Sequence, residues 1–155
     1  MTITNFELIE LAKSYGINNL NVIMNDELTN YSFNTGYYII NLEDSTESGS
    51  HWTAVIVEEG KGLYWDSFGC VPSLQVEDFL HKSKHKYVFN NKIVQDLRST
   101  KCGLFSLGCI IYVIKDTTKS LYEAVNDYTN LFSHDAKTND RIIDKLYKTK
   151  FNNIK

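Results

Sequence analysis

The sequence predicts an α+β fold from three observations. Segments with helical apolar spacing lie toward the two ends of the chain, short β-branched and aromatic runs cluster in its middle, and the two kinds do not alternate regularly. With 155 residues, 43% of them apolar, and a single proline, the chain suits one folded domain spanning 1–155 that buries a core without disulfide or metal staples.

Each element has a local signature. "TNFELIELAKSYG" (4–16) opens with Thr4 and Glu7 at capping-box spacing, carries Leu8, Leu11, Ala12 and Tyr15 on one helical face and stops at Gly16. "GYYIINL" (36–42) reads as a strand and the polar "EDSTESGS" after it as a loop. "HWTAVIVEEGKGLYWDSFG" reads as a hairpin with strands at 52–57 and 63–66, its "GKG" serving as the turn rather than as a phosphate loop. Pro72 suits a helix start continued by "SLQVEDFL", and "KYVFNNKIV" (86–94) is the next strand. The apolar run from Leu104 to Ile114 contains Ser106 and Gly108 and is shorter than the ~18–20 residues that span a bilayer, so it reads as a buried helix, with Ser99 or Thr100 available as N-cap. Two further helices follow: 119–132, with Leu121, Val125, Tyr128 and Phe132 on one face, and 139–150, carrying Ile142, Ile143, Leu146 and Tyr147.

Composition narrows the function classes. The opening residues lack the basic, apolar and small-residue order of a secretory leader, and three cysteines without CxxC spacing do not make a disulfide framework. A non-secreted protein in a reducing compartment is therefore expected. A net charge of -3 provides no global attraction to nucleic acid, and the lysine-rich stretches at 81–92 and from Lys137 onward read as solvated surface. Basic residues are almost all lysine, with Arg98 and Arg141 the two arginines, a bias that fits an AT-rich genome.

Cysteine is commonly a small core residue, and Cys102 could be one. Two features favour a nucleophile instead: Cys102 stands at the first turn of a helix, where unpaired N–H groups and the helix dipole favour a thiolate, and Gly103 leaves an open side next to the sulfur. His81, His85 and His134 lie in polar surroundings, whereas His51 enters a strand after small residues and can stand at a sheet end, as a base or as a structural histidine. Asp66 ends the second hairpin strand. A turn near Gly60 sets residue 66 opposite about 53 or 54, close enough to orient His51, although a turn-capping aspartate has the same signature. Gln95 follows a strand and reads either as an oxyanion donor, alongside the Cys102 N–H, or as a polar loop residue. His81 and His85 with Cys70 make an incomplete zinc set, so no metal is expected, and Cys109 reads as core packing.

Taken together, "GSHW", "YWDSFG" and "VQDLRSTKCGLF" resemble the adenovirus protease and its clan, which includes the ubiquitin-like-protein-specific proteases. The resemblance extends over about residues 5–110, from the opening helix with its "YG" ending to "CGLF". It implies a papain-like cysteine protease fold of the adenovirus protease type, with a mostly antiparallel sheet packed against the helix that begins at Cys102. It also implies His51 as general base, Asp66 as its orienting partner, Gln95 as oxyanion donor, Cys102 as nucleophile, and Trp52 lining the substrate channel next to Gly103. Asp66 stands where adenovirus proteases carry glutamate, as in the ubiquitin-like-protein branch, and "FLHKSKHKYVFNNKIVQ" lacks the cysteine used there for peptide activation. Covalent activation by a peptide is therefore not expected, nor, with a net charge of -3, is a nucleic-acid cofactor, and no other cofactor is implied. The implied activity is endopeptidase cleavage of viral capsid or core precursors near glycine, by a monomer without membrane partners located in the virion and host cytoplasm, in a virophage or related virus. A deubiquitinase or ubiquitin-like-protein isopeptidase is the enzymatic alternative, and a non-catalytic binding module the other.

Overall fold

Alternation along the middle strands distributes side chains to the two faces of a five-stranded sheet. In β3 (Trp52–Glu58), Trp52, Ala54 and Ile56 enter one core while Val55 and Val57 enter the other, and β4 (Lys61–Trp65) divides in the same way between Leu63 and Trp65 on one side and Tyr64 on the other. A computed structural model describes residues 2–31, 34–46, 51–82 and 86–152 of the protein. Residues 47–50 of the expected loop "EDSTESGS" and His85 lie outside the described residues.

The strand order is β1-β2-β3-β4-β5, with β1 at Leu20–Met24, β2 at Gly36–Asn41 and β5 at Lys86–Phe89. The central pairs β2–β3 and β3–β4 are antiparallel, as the hairpin signal requires. The outer pairs β1–β2 and β4–β5 are parallel, so the expected antiparallel arrangement holds for the centre and the sheet as a whole is mixed. Parallel neighbours need a crossover, and each has one: a 3-10 helix at Asn25–Asn30 between β1 and β2, and α2 (Leu74–Lys82) between β4 and β5. The sequence reading missed β1, because "LNVIM" at the sheet edge has no buried-exposed alternation to signal it.

Helix α3 (Cys102–Lys115) packs on the face of Trp52, Ala54 and Ile56, with α1 (Asn5–Ser14), α4 (Leu121–Asn130) and α5 (Asn139–Lys148) around it. Its residues are buried on nearly every side, which explains a run apolar all round in a helix too short to cross a membrane. The other face is closed by α2 and the 3-10 helix through Val76, Phe79, Leu80 and Leu28.

Helix boundaries follow local chemistry. The Thr4 hydroxyl accepts the Glu7 N–H at 3.1 Å, and Ser120 does the same for Glu123 at 3.3 Å, so α4 begins at Leu121. Helix α2 begins at Leu74 instead of Pro72, with Ser73 Oγ accepting the Val76 N–H. The N-cap of α3 is Lys101, not Ser99 or Thr100; the Ser99 hydroxyl donates to Asp140 at 2.7 Å and accepts the Lys101 N–H at 3.2 Å, one turn short of the helix. The expected strand at 86–94 ends at Phe89, where Asn90 turns its amide to Asp66.

Close packing makes Gly108 specific to its place in α3. A Cβ there would lie 2.6 Å from the Tyr128 hydroxyl oxygen and 3.2 Å from Ile143 Cδ1, and that hydroxyl already donates to the Phe105 carbonyl at 2.7 Å. Helix propensity alone would stabilise Gly108→Ala by about 1 kcal/mol, whereas overpacking costs about 1–3 kcal/mol. The expected outcome is net destabilisation in urea unfolding, and a variant as stable as wild type or more so contradicts it.

Candidate active site

Two strand ends and one helix start bring three titratable side chains together. Ala54 is the last β3 residue paired with β4, opposite Trp65, so the next step sets Thr53 opposite Asp66, with His51 two residues further along. His51 Nε2 lies 2.7 Å from Asp66 Oδ1, with both side chains largely withdrawn from solvent. The other ring nitrogen, Nδ1, is left for Cys102, whose side chain also acts on the imidazole. Cys102 is the first residue of α3 and 2% exposed. Its sulfur also accepts the Trp52 backbone N–H at 3.4 Å. That N–H is open to the sulfur because β4 has left the ladder at Asp66, so no strand competes for it.

Burial alone would lower the His51 pKa. The hydrogen bonds and charges of Asp66 and Cys102 outweigh it and raise the value to about 9, so the ring is an imidazolium at neutral pH. The Phe68 ring stacks on it at 4.6 Å between centroids.

The segment after β4 holds several parts of the site. Asp66 Oδ1 accepts the Phe68 N–H at 2.9 Å and also lies against the His51 ring, so one oxygen makes both the turn contact and the histidine contact. The Ser67 hydroxyl donates to Gln95 Oε1 at 2.5 Å, and the Ser67 carbonyl accepts the N–H groups of Val94 and Gln95. Gln95 Nε2 donates to the Ser99 carbonyl at 2.9 Å, and its second amide hydrogen has no acceptor among the described residues. Gly69, at φ +68, closes the turn by donating to the Asp66 carbonyl, and a Cβ there would stand 2.9 Å from the Lys92 backbone.

Trp52 and Gly103 stand beside Cys102, but the chain itself fills the space between them. A Cβ on Gly103 would lie 2.3 Å from Ile3 Cγ2 and 3.1 Å from Trp52 Cδ1, so the missing side chain makes room for these two residues. The Trp52 indole N–H donates to the Ile3 carbonyl at 3.1 Å. Ser106 holds the Trp52 carbonyl at 3.0 Å from inside α3.

Several supporting residues escaped the sequence reading. The C-terminal helices brace the loop that precedes Cys102: Asn139 donates to the Val94 carbonyl at 2.7 Å, Asp140 accepts from Ser99, and Lys101 pairs with Asp144. Lys92 donates to the carbonyls of Thr129 and Phe132 at the end of α4. Nothing in the spacing of single polar residues announces such long-range bonds, although Ser67 and Phe68 stand inside the "WDSFG" string that carries Asp66. Cys109 is fully buried in α3, its thiol pKa pushed far up by burial, and Cys70 is free and exposed.

The α+β fold with its mixed five-stranded sheet is similar to the papain-like fold of solved cysteine proteases. Among solved structures, the ASFV pS273R protease matches with a TM-score of 0.56 and 19% identity over 85% of this chain and 67% of its own. AvrA delL154, solved with IP6 and CoA, matches with a TM-score of 0.50 and 16% identity over 83% and 60%, and the SUMO protease Ulp1 with a TM-score of 0.49 and 13% identity over 83% and 74%. No family model matches the sequence, and no curated protein sequence matches it significantly.

The raised His51 pKa links the site to stability. A group whose pKa rises on folding adds stability that is complete below its unfolded value, here 6.5, and is lost as the pH climbs through about 9. Wild type should therefore exceed Asp66→Asn in unfolding free energy by up to about 3 kcal/mol near neutral pH. That excess should shrink between pH 6.5 and 9. Urea titrations across this interval measure it, and a constant difference would contradict the assignment of the imidazolium to Asp66.

Proposed function

We propose that the protein is a cysteine endopeptidase that processes viral capsid or core precursors near glycine. The observation that carries this reading is His51 held at 2.7 Å by the Asp66 carboxylate, with the Cys102 side chain, at the first residue of a buried helix, also acting on the imidazole. In this reading the Cys102 thiolate attacks the peptide carbonyl carbon, and the free Gln95 amide hydrogen and the Cys102 N–H receive the oxyanion. The His51 imidazolium gives its proton to the leaving amine as the C–N bond breaks. His51 then takes a proton from water, whose oxygen attacks the thioester and returns Cys102 to the thiolate. Asp66 keeps Nε2–H engaged throughout, so Nδ1 is the nitrogen that exchanges protons with the reacting atoms.

The reading extends to a monomer without cofactor or membrane partner, acting in the virion and the host cytoplasm of a virophage or a related virus. The isopeptidase alternative has one residue in its favour, the aspartate rather than glutamate at position 66.

Mass spectrometry of a capsid precursor incubated with wild type and with Cys102→Ala tests the reading, alongside a ubiquitin-type vinyl sulfone probe. Wild type should release fragments ending near glycine while Cys102→Ala releases none, and Gln95→Ala should lose about 10²–10³ in kcat. Labelling of Cys102 by the probe with an uncleaved precursor favours the isopeptidase. No cleavage, together with labelling no faster at Cys102 than at Cys70, leaves a binding module.

A further inference from the structure

We infer that Asn90 is a positioning residue for the candidate site, fixing the backbone of Asp66 so that its carboxylate meets His51. The parallel ladder between β4 and β5 ends at Tyr64 and Phe89. One residue beyond it, Asn90 replaces the strand with its side chain: Oδ1 accepts the Asp66 N–H at 2.9 Å, and Nδ2 donates to the Asp66 carbonyl at 2.9 Å. A single primary amide thus serves both peptide groups of one residue, as a neighbouring strand would, at the point where β4 departs from the sheet. The same Nδ2 donates to the Lys92 carbonyl at 3.2 Å, which fixes the amide in turn. With N–H and carbonyl both held, the carboxylate of Asp66 has its direction set before His51 and the Phe68 N–H reach it.

A structural bond of this kind would normally be read as sheet stability alone, but two facts argue for more. Asp66 is the one residue whose backbone Asn90 holds at both ends, and Asp66 is the carboxylate partner of His51. Asn90 also borders a cavity of about 390 Å³ lined by Leu63, Lys92, Tyr122, Val125 and Thr129. Shortening its side chain widens an existing space from which water can satisfy the two groups, without fixing their direction. The loss should therefore fall mainly on orientation.

The inference rests on the proposed role of Asp66, and its test is read without substrate. His51 is titrated by NMR of its imidazole protons in wild type, Asn90→Ala, Asn90→Ser and the control Asn139→Ala. Asn139 makes bonds of the same kind, to the Val94 and Ser133 carbonyls and the Ser133 N–H, without touching Asp66. The groups acting on the imidazole are Asp66, Cys102 and the stacked Phe68 ring, and the substitutions leave all three residues in the chain. The expected result is a midpoint that falls from about 9 in Asn90→Ala, less in Asn90→Ser, and stays in place in Asn139→Ala. The fall should be at least about one pH unit, a tenfold loss of proton affinity. If the protein cleaves peptides, kcat should drop by about 10–100-fold with KM within about twofold.

A midpoint that does not move in either Asn90 variant overturns the inference, and so does an equal shift in Asn139→Ala. Asn90→Ser keeps the test available if the alanine variant does not fold. A protein that cleaves nothing yet shows the shift contradicts the protease reading alone. One that cleaves with an unmoved midpoint contradicts only the role of Asn90.

Discussion

The arrangement depends on the point at which β4 leaves the sheet. Up to Trp65 its peptide groups are paired with β3, and up to Tyr64 with β5. At Asp66 both neighbours are gone, and a residue with 2% exposure has to satisfy a backbone N–H, a carbonyl and a carboxylate away from water. The groups that meet this demand are Asn90, Gly69, Phe68 and His51. The same departure leaves the Trp52 N–H to the Cys102 sulfur. The end of one strand thus creates both the opening for the sulfur and the polar network that faces it.

A buried charge pair of this kind is costly unless its remaining hydrogen-bonding capacity is filled, and ion pairs taken out of water add little stability by themselves. Here the pair is embedded in two cores: α3 fixes the sulfur from one side of the sheet, and Tyr64 with Val55 fixes the strands from the other. Rigid placement of this sort is what proton transfer requires, since small displacements weaken it steeply. The C-terminal helices belong to the same scheme. Lys92 reaches the carbonyl end of α4, where positive charge is favoured, and Asn139, Asp140 and Asp144 hold 94, 99 and 101. Four fixed points along 92–101 turn an otherwise irregular segment into a rigid approach to Cys102.

What was legible in the sequence follows from how local each signal is. The hairpin could be read because alternation and a glycine turn lie within one short stretch, and its register followed from the turn, which brought His51 and Asp66 into reach. Helix α3 could be read from an apolar run bounded by a polar loop. β1 could not, since four of the five residues of "LNVIM" are apolar and so short a run shows no period. The strand expected through 94 failed for a different reason. "KYVFNNKIV" has strand composition throughout, but Asn90 forms bonds 24 residues away that composition does not encode.

Supporting residues differ from the central ones in that their chemistry is generic. A histidine, an aspartate and a cysteine in order narrow the possibilities because few structural roles need all three at a strand start, a strand end and a helix start. An asparagine side chain is interchangeable with a peptide group, so it can replace a strand wherever one is missing, and the sequence does not record where that is. Asn90 performs this substitution for Asp66, and Asn139 for Ser133 while also donating to the Val94 carbonyl. Gln95, next to Val94, is held by Ser67 and Ser99. The direction of the Asp66 carboxylate therefore depends on an amide acting as displaced backbone, and that role becomes visible only once the strand end it completes has been located.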